Sequence, residues 1–407
     1  MTHIKLNILF LAQRVPFPPN KGEKIRTFNQ LKYLAEQNYK ISVCAPLEQS
    51  EDVNYFKELA DKYCDNITSH VLPLKPLRLL KGLLKGQALS VANFYVSELQ
   101  NKFDCLLQQE CFDVVICTSS AMAEYIYKSK SIQNMDKKPL LLMDFMDLDS
   151  DKWQQYAQTS SWPMKWIYQR ESSVLAKYEQ QVTHDFDASF FIADAEVDLF
   201  KSRCSNVGKV LTMGNGMDTT AFVPAKTPPE NKAPVFLFTG VMDYKPNIDA
   251  VVWFVESIWG KVIKNYPKAR FIIAGMNPSS AVKELVSITG VEVTGFVDDI
   301  LPYYHQADYF VAPFRIARGV QNKVLQAFAC GLPVISTSMG AEGIDCVQNE
   351  HILIANNEVE FLSAVEKLET DQMLCDTIKK NALSLIHEHY SWQGKLQVLD
   401  EVLNDRL

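Results

Sequence analysis

The chain has 407 residues, too many for one ordinary core, so two to three domains are expected from length alone. Apolar content of 47% and charged content of 22% are ordinary for a soluble globular protein, and a formal net charge of -7 excludes a general nucleic-acid-binding surface. Nine cysteines (Cys44, Cys64, Cys105, Cys111, Cys117, Cys204, Cys330, Cys346 and Cys375) form no CxxC pair, and several sit in apolar runs. They read as reduced core residues of a cytosolic protein, neither disulfides nor a zinc site.

The first twenty residues contain an apolar run that is short and lacks a small-residue cleavage site, so it reads as a strand, not a signal peptide. No stretch approaches the roughly 20 apolar residues of a membrane span. NILFLA (7–12) is a compact, buried strand. The prolines at 16, 18 and 19 then impose a loop. From Gly22 the stripe Ile25, Phe28, Leu31, Tyr33 and Leu34 predicts a helix, and ISVCA (41–45) a second strand. A βαβ unit of this kind carries its ligands at the carboxyl edge of the strands. The loop lacks GxGxxG, so no dinucleotide fingerprint is present.

Residues 73–86, PLKPLRLLKGLLKG, alternate leucines with Lys75, Arg78, Lys81 and Lys85 at near-helical spacing. The pattern suits an anionic membrane surface. It equally describes a helix packed on the core with a solvated basic face, and two internal glycines favour that second reading on pattern alone. FDVVIC (112–117) and PLLLM (139–143) are buried strands, and the second runs into DFMDLDSDKW with its four aspartates. Asp147 and Asp149 make a DxD pattern, but acids at a strand-to-helix junction also serve as helix caps. A long helix rich in Trp and Tyr is expected over 161–184, and FDASFFIA (186–193) is a further strand. The N-terminal half thus repeats strand and helix about six times.

VLTMGNGMD (210–218) is a strand ending in a Gly-Asn-Gly turn, and the polar, proline-rich stretch 224–234 is the candidate linker. A second strand–helix series follows, with VFLFTG, RFIIAG, VEVTG, YFVAP and PVIST as its strands, and the chain ends in a helical pattern near 390–403. Two doubly wound α/β lobes facing each other across a cleft are expected, bounded at 1–208 and 209–387, with 388–407 returning to pack on the first. Within the second lobe, 311–336 reads as strand, loop, helix N-terminus and crossover, with Arg315, Arg318 and Gly319 in the loop and Lys323 on the helix. Such a helix end with added cations can hold a phosphate. The residues alone also allow a surface loop with solvated arginines.

The chain resembles the retaining glycosyltransferases of family 4, which have the GT-B architecture of two Rossmann-like lobes. Within that family it is similar to the PEP-CTERM/exosortase-system-associated sugar transferases of bacterial exopolysaccharide loci. The likeness rests on QRVPFPPNKGEKIR (13–26), DFMDLDSDKWQQYA (144–157), FTGVMDYKPNIDAVVWF (238–254), VTGFVDDILPYY (293–304) and APFRIARGVQNKVLQA (312–327), which together span nearly the whole chain. It implies a hexosyl transfer from a nucleotide sugar to a lipid-linked saccharide acceptor, with retention, at the inner leaflet of the plasma membrane. The donor side would comprise Gly240, Lys245, Arg318, Gly319, Lys323 and Gln326, and the acceptor or sugar side Lys21, Gly22 and Asp144. Asp147, Arg318 and Lys323 would act on the reaction itself.

Such enzymes commonly carry two glutamates eight positions apart around this helix, whereas this chain has Arg318 and Gln326; an amide can still serve ribose hydroxyls, with weaker bonds. Many relatives also carry a histidine at the strand end where this chain has Asp144 and Asp147. The leaving phosphate would take the acceptor proton, so no cofactor and no metal are expected. A nucleotide-sugar epimerase, and an inactive glycosyltransferase-like binding protein, are the alternatives; a phosphorylase would need a pyridoxal lysine, which no segment suggests.

Overall fold

The computed structural model describes residues 5–204, 207–219, 221–227, 233–317 and 320–405. They divide into two compact units, 1–215 with 395–407, and 216–394. Arg318 and Gly319, and residues 228–232 of the expected linker, lie outside the described residues.

The first unit holds β1 (Asn7–Ala12), β2 (Lys40–Leu47), β3 (Asn66–Val71), β4 (Val114–Thr118), β5 (Leu140–Met146), β6 (Ala188–Phe191) and β7 (Val210–Thr212). They form one parallel sheet in the order β3-β2-β1-β4-β5-β6-β7. Its central strands are apolar on both faces because helices cover both, which is why NILFLA and VVICT show continuous rather than alternating hydrophobicity. The helix Gly22–Glu36 returns the chain from β1 to β2 and buries Arg26, Thr27, Gln30, Leu31 and Leu34.

The second unit holds β8 (Val235–Thr239), β9 (Arg270–Ala274), β10 (Val291–Gly295), β11 (Tyr309–Ala312), β12 (Val334–Ser336) and β13 (Leu353–Ile354), in the order β10-β9-β8-β11-β12-β13. Its core is aromatic: Phe236, Phe254, Trp259 and Phe271 pack together fully buried. In both sheets the strand order reverses beside the unit's first strand. That reversal opens a crevice at the carboxyl ends of the strands, where ligands of doubly wound folds sit.

Four sequence expectations change. β3 escapes the apolar-run criterion because NITSHV is polar and only half-buried at a sheet edge. β7, assigned by sequence to the second lobe, pairs with β6, so the first unit continues to Asn215. Cys105 and Cys111 are exposed, not core residues, although all nine cysteines are free thiols.

The fourth concerns the helix Lys75–Leu84, which does not bury its leucines. Leu77, Leu80 and Leu84 are 61%, 55% and 81% exposed, while Gly82 is the helix's buried residue. A Cβ at 82 would lie 2.2 Å from Ala92 Cβ, so the glycine is what lets this helix close on the helix Leu89–Phe94. That contact turns the leucine face outward. No helix among the described residues is long and apolar enough to cross a membrane.

Candidate functional site

Each unit carries a cavity at its strand reversal. In the second, a space of about 470 Å3 is bounded by the ends of β8, β9 and β10 and by the start of the helix Asn322–Ala329. Lys323 reaches into it. Its ammonium donates to Asn247 Oδ1 at 2.6 Å and lies over the rings of Phe238 and Phe314, 4.5 and 5.0 Å from their centroids. No carboxylate pairs with it among the described residues. Burial against those rings pushes its pKa down from 10.5 to about 7. Gly240 is what makes room, because a Cβ there would stand 2.7 Å from Lys323 Nζ.

Gln326 lines the same cavity. Its Oε1 accepts from the Tyr304 hydroxyl at 3.1 Å, and that hydroxyl lies 2.8 Å from Thr239 Oγ1. A phenol has one proton, so Thr239 donates to Tyr304 and Tyr304 to Gln326, leaving the amide N–H groups to the cavity. Lys245, the first residue of the helix Lys245–Trp253, is exposed and lies off the cavity wall, where Tyr244 and Asn247 stand instead. Arg315 is turned elsewhere: it grips Asp249 with two hydrogen bonds, 3.0 and 2.5 Å, and packs over Trp253.

In the first unit a cavity of about 740 Å3 opens at the ends of β1, β4 and β5, walled among others by Arg14, Gly22, Arg26, Ser119, Asp147 and Trp153. Asp144 is fully buried beneath it. Its carboxylate accepts from Arg26 Nε and Nη2 at 2.7 and 2.8 Å and from Gln30 Nε2 at 2.5 Å. Asp144 therefore fixes Arg26, and Arg26 Nη1 in turn donates to Asn215 Oδ1 at 3.0 Å. The expected sugar-side carboxylate is thus occupied, and the group it presents to the cavity is the guanidinium.

Asp147, by contrast, is exposed, lines the cavity and makes no side-chain hydrogen bond or ion pair among the described residues. The residue before it, Met146, has φ +68°, and Ser119, at the end of the neighbouring strand β4 and bonded through its amide to Asp144 O at 2.7 Å, has φ +77°. Non-glycine residues held in that region are strained and gather where a site fixes its backbone. Neither Asp147 nor Asp149 caps the following helix. Its second amide, Ser150 N, donates to Glu179 Oε1 at 3.1 Å, from a helix further along the chain. Lys21 precedes the helix Gly22–Glu36 and is exposed, and Gly22 has open space around it, so packing within the unit does not demand a glycine there. Trp153 and Tyr168 stack on the cavity wall with centroids 5.3 Å apart.

The structure thus brings Gly240, Lys323 and Gln326 together in one cavity, and Gly22 and Asp147 in the other. Sequence reasoning passed over Asn247, Tyr304 and Arg26. Each lies inside a motif segment that had been singled out, but its role depends on a partner far away in the chain.

Residues 233–371 match the family described as Glycosyl transferases group 1. A Klebsiella pneumoniae protein, described as an uncharacterized 44.6 kDa protein in the cps region, is 22% identical over 397 residues, covering 94% of this chain and 96% of that one. Among solved structures, a glycosyltransferase from Rickettsia africae superposes with a TM-score of 0.59 at 14% identity, covering 99% of both chains. Anabaena HepE, solved in complex with UDP, gives 0.56 at 15% identity, covering 98% of this chain and 100% of that one. The fold is the GT-B type: two Rossmann-like, doubly wound parallel-sheet lobes.

Proposed function

We propose that this chain, whose second unit carries a glycosyltransferase group 1 domain, transfers a hexosyl group from a nucleotide sugar to a lipid-linked saccharide with retention of configuration, as a family 4 enzyme of cell-surface polysaccharide synthesis. The observation that carries this reading is Lys323, a largely buried amine with no carboxylate partner among the described residues, set at the strand reversal of the matched domain. The donor diphosphate lies against Lys323 and the N-terminus of its helix, Arg318 and Gly319 are taken as further phosphate ligands from the sequence resemblance, and Gln326 meets the ribose. A protonated Lys323 stabilises the charge that grows on the leaving diphosphate. The leaving phosphate itself takes the acceptor hydroxyl proton, so the enzyme supplies position and charge rather than a nucleophile. No metal or cofactor is part of this scheme.

The acceptor saccharide occupies the cavity of the first unit. The stacked Trp153 and Tyr168 offer a flat apolar face to a sugar ring, and Asp147 and Arg26 offer an acceptor and a donor for its hydroxyls. The outward leucines of Lys75–Leu84, interspersed with Lys75, Lys81 and Lys85, support docking of this unit on an anionic inner leaflet.

The test is mass spectrometry and NMR of the products formed from a panel of nucleotide sugars with a lipid-diphosphate-linked saccharide acceptor. The expected product is the acceptor extended by one hexose whose anomeric configuration matches the donor. An inverted linkage overturns the family 4 assignment. Donor turnover without acceptor favours an epimerase, and nucleotide binding without any turnover favours a regulatory scaffold.

A further inference from the structure

The helix Lys75–Leu84 faces two cavities, one on each flank. Lys75 and Leu79 belong to the 740 Å3 cavity described above. Arg78, Lys81 and Lys85 belong to a separate one of about 290 Å3, closed on its other side by segment 87–98 and Lys128. This second cavity has no part in the transfer reaction proposed above.

Arg78 is its unusual member. Its Nε and Nη1 are buried and have no hydrogen-bond partner, and the guanidinium makes no ion pair among the described residues. Burial lowers its pKa, with Glu48 and Tyr125 as the charged and polar groups that oppose the shift. The guanidinium is partly buried with two nitrogens unsatisfied, and an anion in the cavity would take two-pronged hydrogen bonds from Nη2 together with Nε or Nη1, satisfying one of them. Lys81 and Lys85 are exposed at the rim and make no ion pair among the described residues, although Lys81 acts electrostatically on Glu98. Lys128 is already used, pairing with Glu124 at 2.7 Å and lying 3.7 Å over the Tyr95 ring. One carboxylate, Glu98, is on the wall, exposed and bonded to Ser97 Oγ at 3.0 Å.

The helix is inside-out for a water-facing element. Its arginine head turns inward while Leu77, Leu80 and Leu84 turn outward. An apolar exterior beside a cationic pocket matches the layering of a bilayer surface, where phosphates lie just above the acyl chains. We propose that the 290 Å3 cavity is a headgroup site: it takes the phosphate of an anionic membrane phospholipid, gripped by Arg78 with Lys81 and Lys85 at the rim, while the leucines enter the acyl boundary. The site rests on the membrane docking proposed above and adds to it a specific contact. It separates the lipid that anchors the enzyme from the acceptor lipid in the neighbouring cavity.

The test is co-sedimentation of the full chain with phosphatidylcholine vesicles, with and without phosphatidylglycerol. The variants are Arg78→Gln, Arg78→Lys and Lys75→Gln, each checked for an unchanged thermal unfolding curve. Bulk attraction assigns every cation about the same weight, roughly fivefold in affinity. The headgroup site predicts that Arg78→Gln weakens binding to phosphatidylglycerol vesicles more than tenfold, that Arg78→Lys also weakens it, and that Lys75→Gln stays within about fivefold. If Arg78→Gln and Lys75→Gln lose the same amount and Arg78→Lys binds like wild type, the site is overturned while docking stands. If wild type binds neither vesicle, docking itself falls and the site with it. Glycerol 3-phosphate in solution is the last arm. Release of the protein from vesicles at micromolar glycerol 3-phosphate would assign the cavity to a soluble phosphate ester and overturn the lipid assignment.

Discussion

Gly240 and Lys323 compete for one volume. A Cβ at position 240 would stand 2.7 Å from Lys323 Nζ and 2.7 Å from Asn247 Nδ2, in the second unit's cavity, where Asn247 accepts from the ammonium through Oδ1 and donates Nδ2 to Val241 O. Gly240→Ala is therefore expected to displace the ammonium and also to lower the unfolding temperature, because Gly240 has φ +156°, which an alanine adopts only under strain. Calorimetry on the folded variant should show nucleoside-diphosphate affinity reduced at least tenfold, about 1.4 kcal/mol or more. Unchanged affinity would mean that the diphosphate does not meet Lys323.

Proton linkage gives a second check. Lys323 titrates near pH 7 in the free protein, because burial disfavours its charge, and a bound diphosphate would raise that pKa. The binding-competent form is the protonated one. Affinity should therefore be flat below about pH 7 and fall by up to tenfold per pH unit above it. Calorimetry in buffers of different ionisation enthalpy should report net proton uptake at pH 8, and Lys323→Ala should abolish it. The same variant, like Arg318→Ala, should lose about 2–4 kcal/mol of transition-state stabilisation, chiefly in kcat. A pH-independent affinity in wild type would place the ammonium away from the anion.

Much of this architecture is legible in the sequence because buried parallel strands announce themselves as apolar runs. NILFLA and the strand beginning at Val235 are examples. The edge strand NITSHV is not legible, since half-burial leaves no pattern to read. The candidate site divides along a similar line. Lys323 stands out from its place on the helix that follows a strand and a cationic loop, whereas Gly240 is reached through the family resemblance. That Asp144 is consumed by Arg26, 118 residues away, follows only from the packing of a helix onto a distant strand. The leucine-rich helix makes the same point, because periodicity shows two faces without saying which one turns inward. The close contact of Gly82 with Ala92 decides that.

Gln326 offers a third prediction. Its Oε1 is taken by Tyr304, so it presents N–H groups where a glutamate would present an oxygen to the ribose hydroxyls. Gln326→Glu keeps an acceptor for Tyr304 and adds a charged acceptor facing the cavity. Nucleoside-diphosphate binding is expected to tighten by about 1 kcal/mol as a neutral bond becomes charge-assisted. Weaker binding would show that the ribose is held through its oxygens by the amide N–H groups.

The last prediction concerns stability. Glu179 is fully buried, its Oε1 accepts from Ser150 N, and its Oε2 has no hydrogen-bond partner among the described residues. Burial raises its pKa from 4.5 to about 8, with Asp149 adding to the rise and the Ser150 bond and Arg203 opposing it. The folded state thus keeps a proton that the unfolded chain releases near pH 4.5. For a raised folded-state pKa, the contribution to stability is complete below the unfolded value and drains away as pH climbs to the folded one. Wild-type stability should accordingly decline between about pH 5 and 8, this residue contributing a slope of up to roughly 1.4 kcal/mol per pH unit. Glu179→Gln keeps a neutral carbonyl for Ser150 N and removes the titration. Its denaturation midpoint should match wild type near pH 5 and exceed it at pH 8. Parallel pH profiles for the two proteins would show that Glu179 is ionised when folded and that the Ser150 amide, at the start of the helix Asp149–Thr159, stabilises its charge.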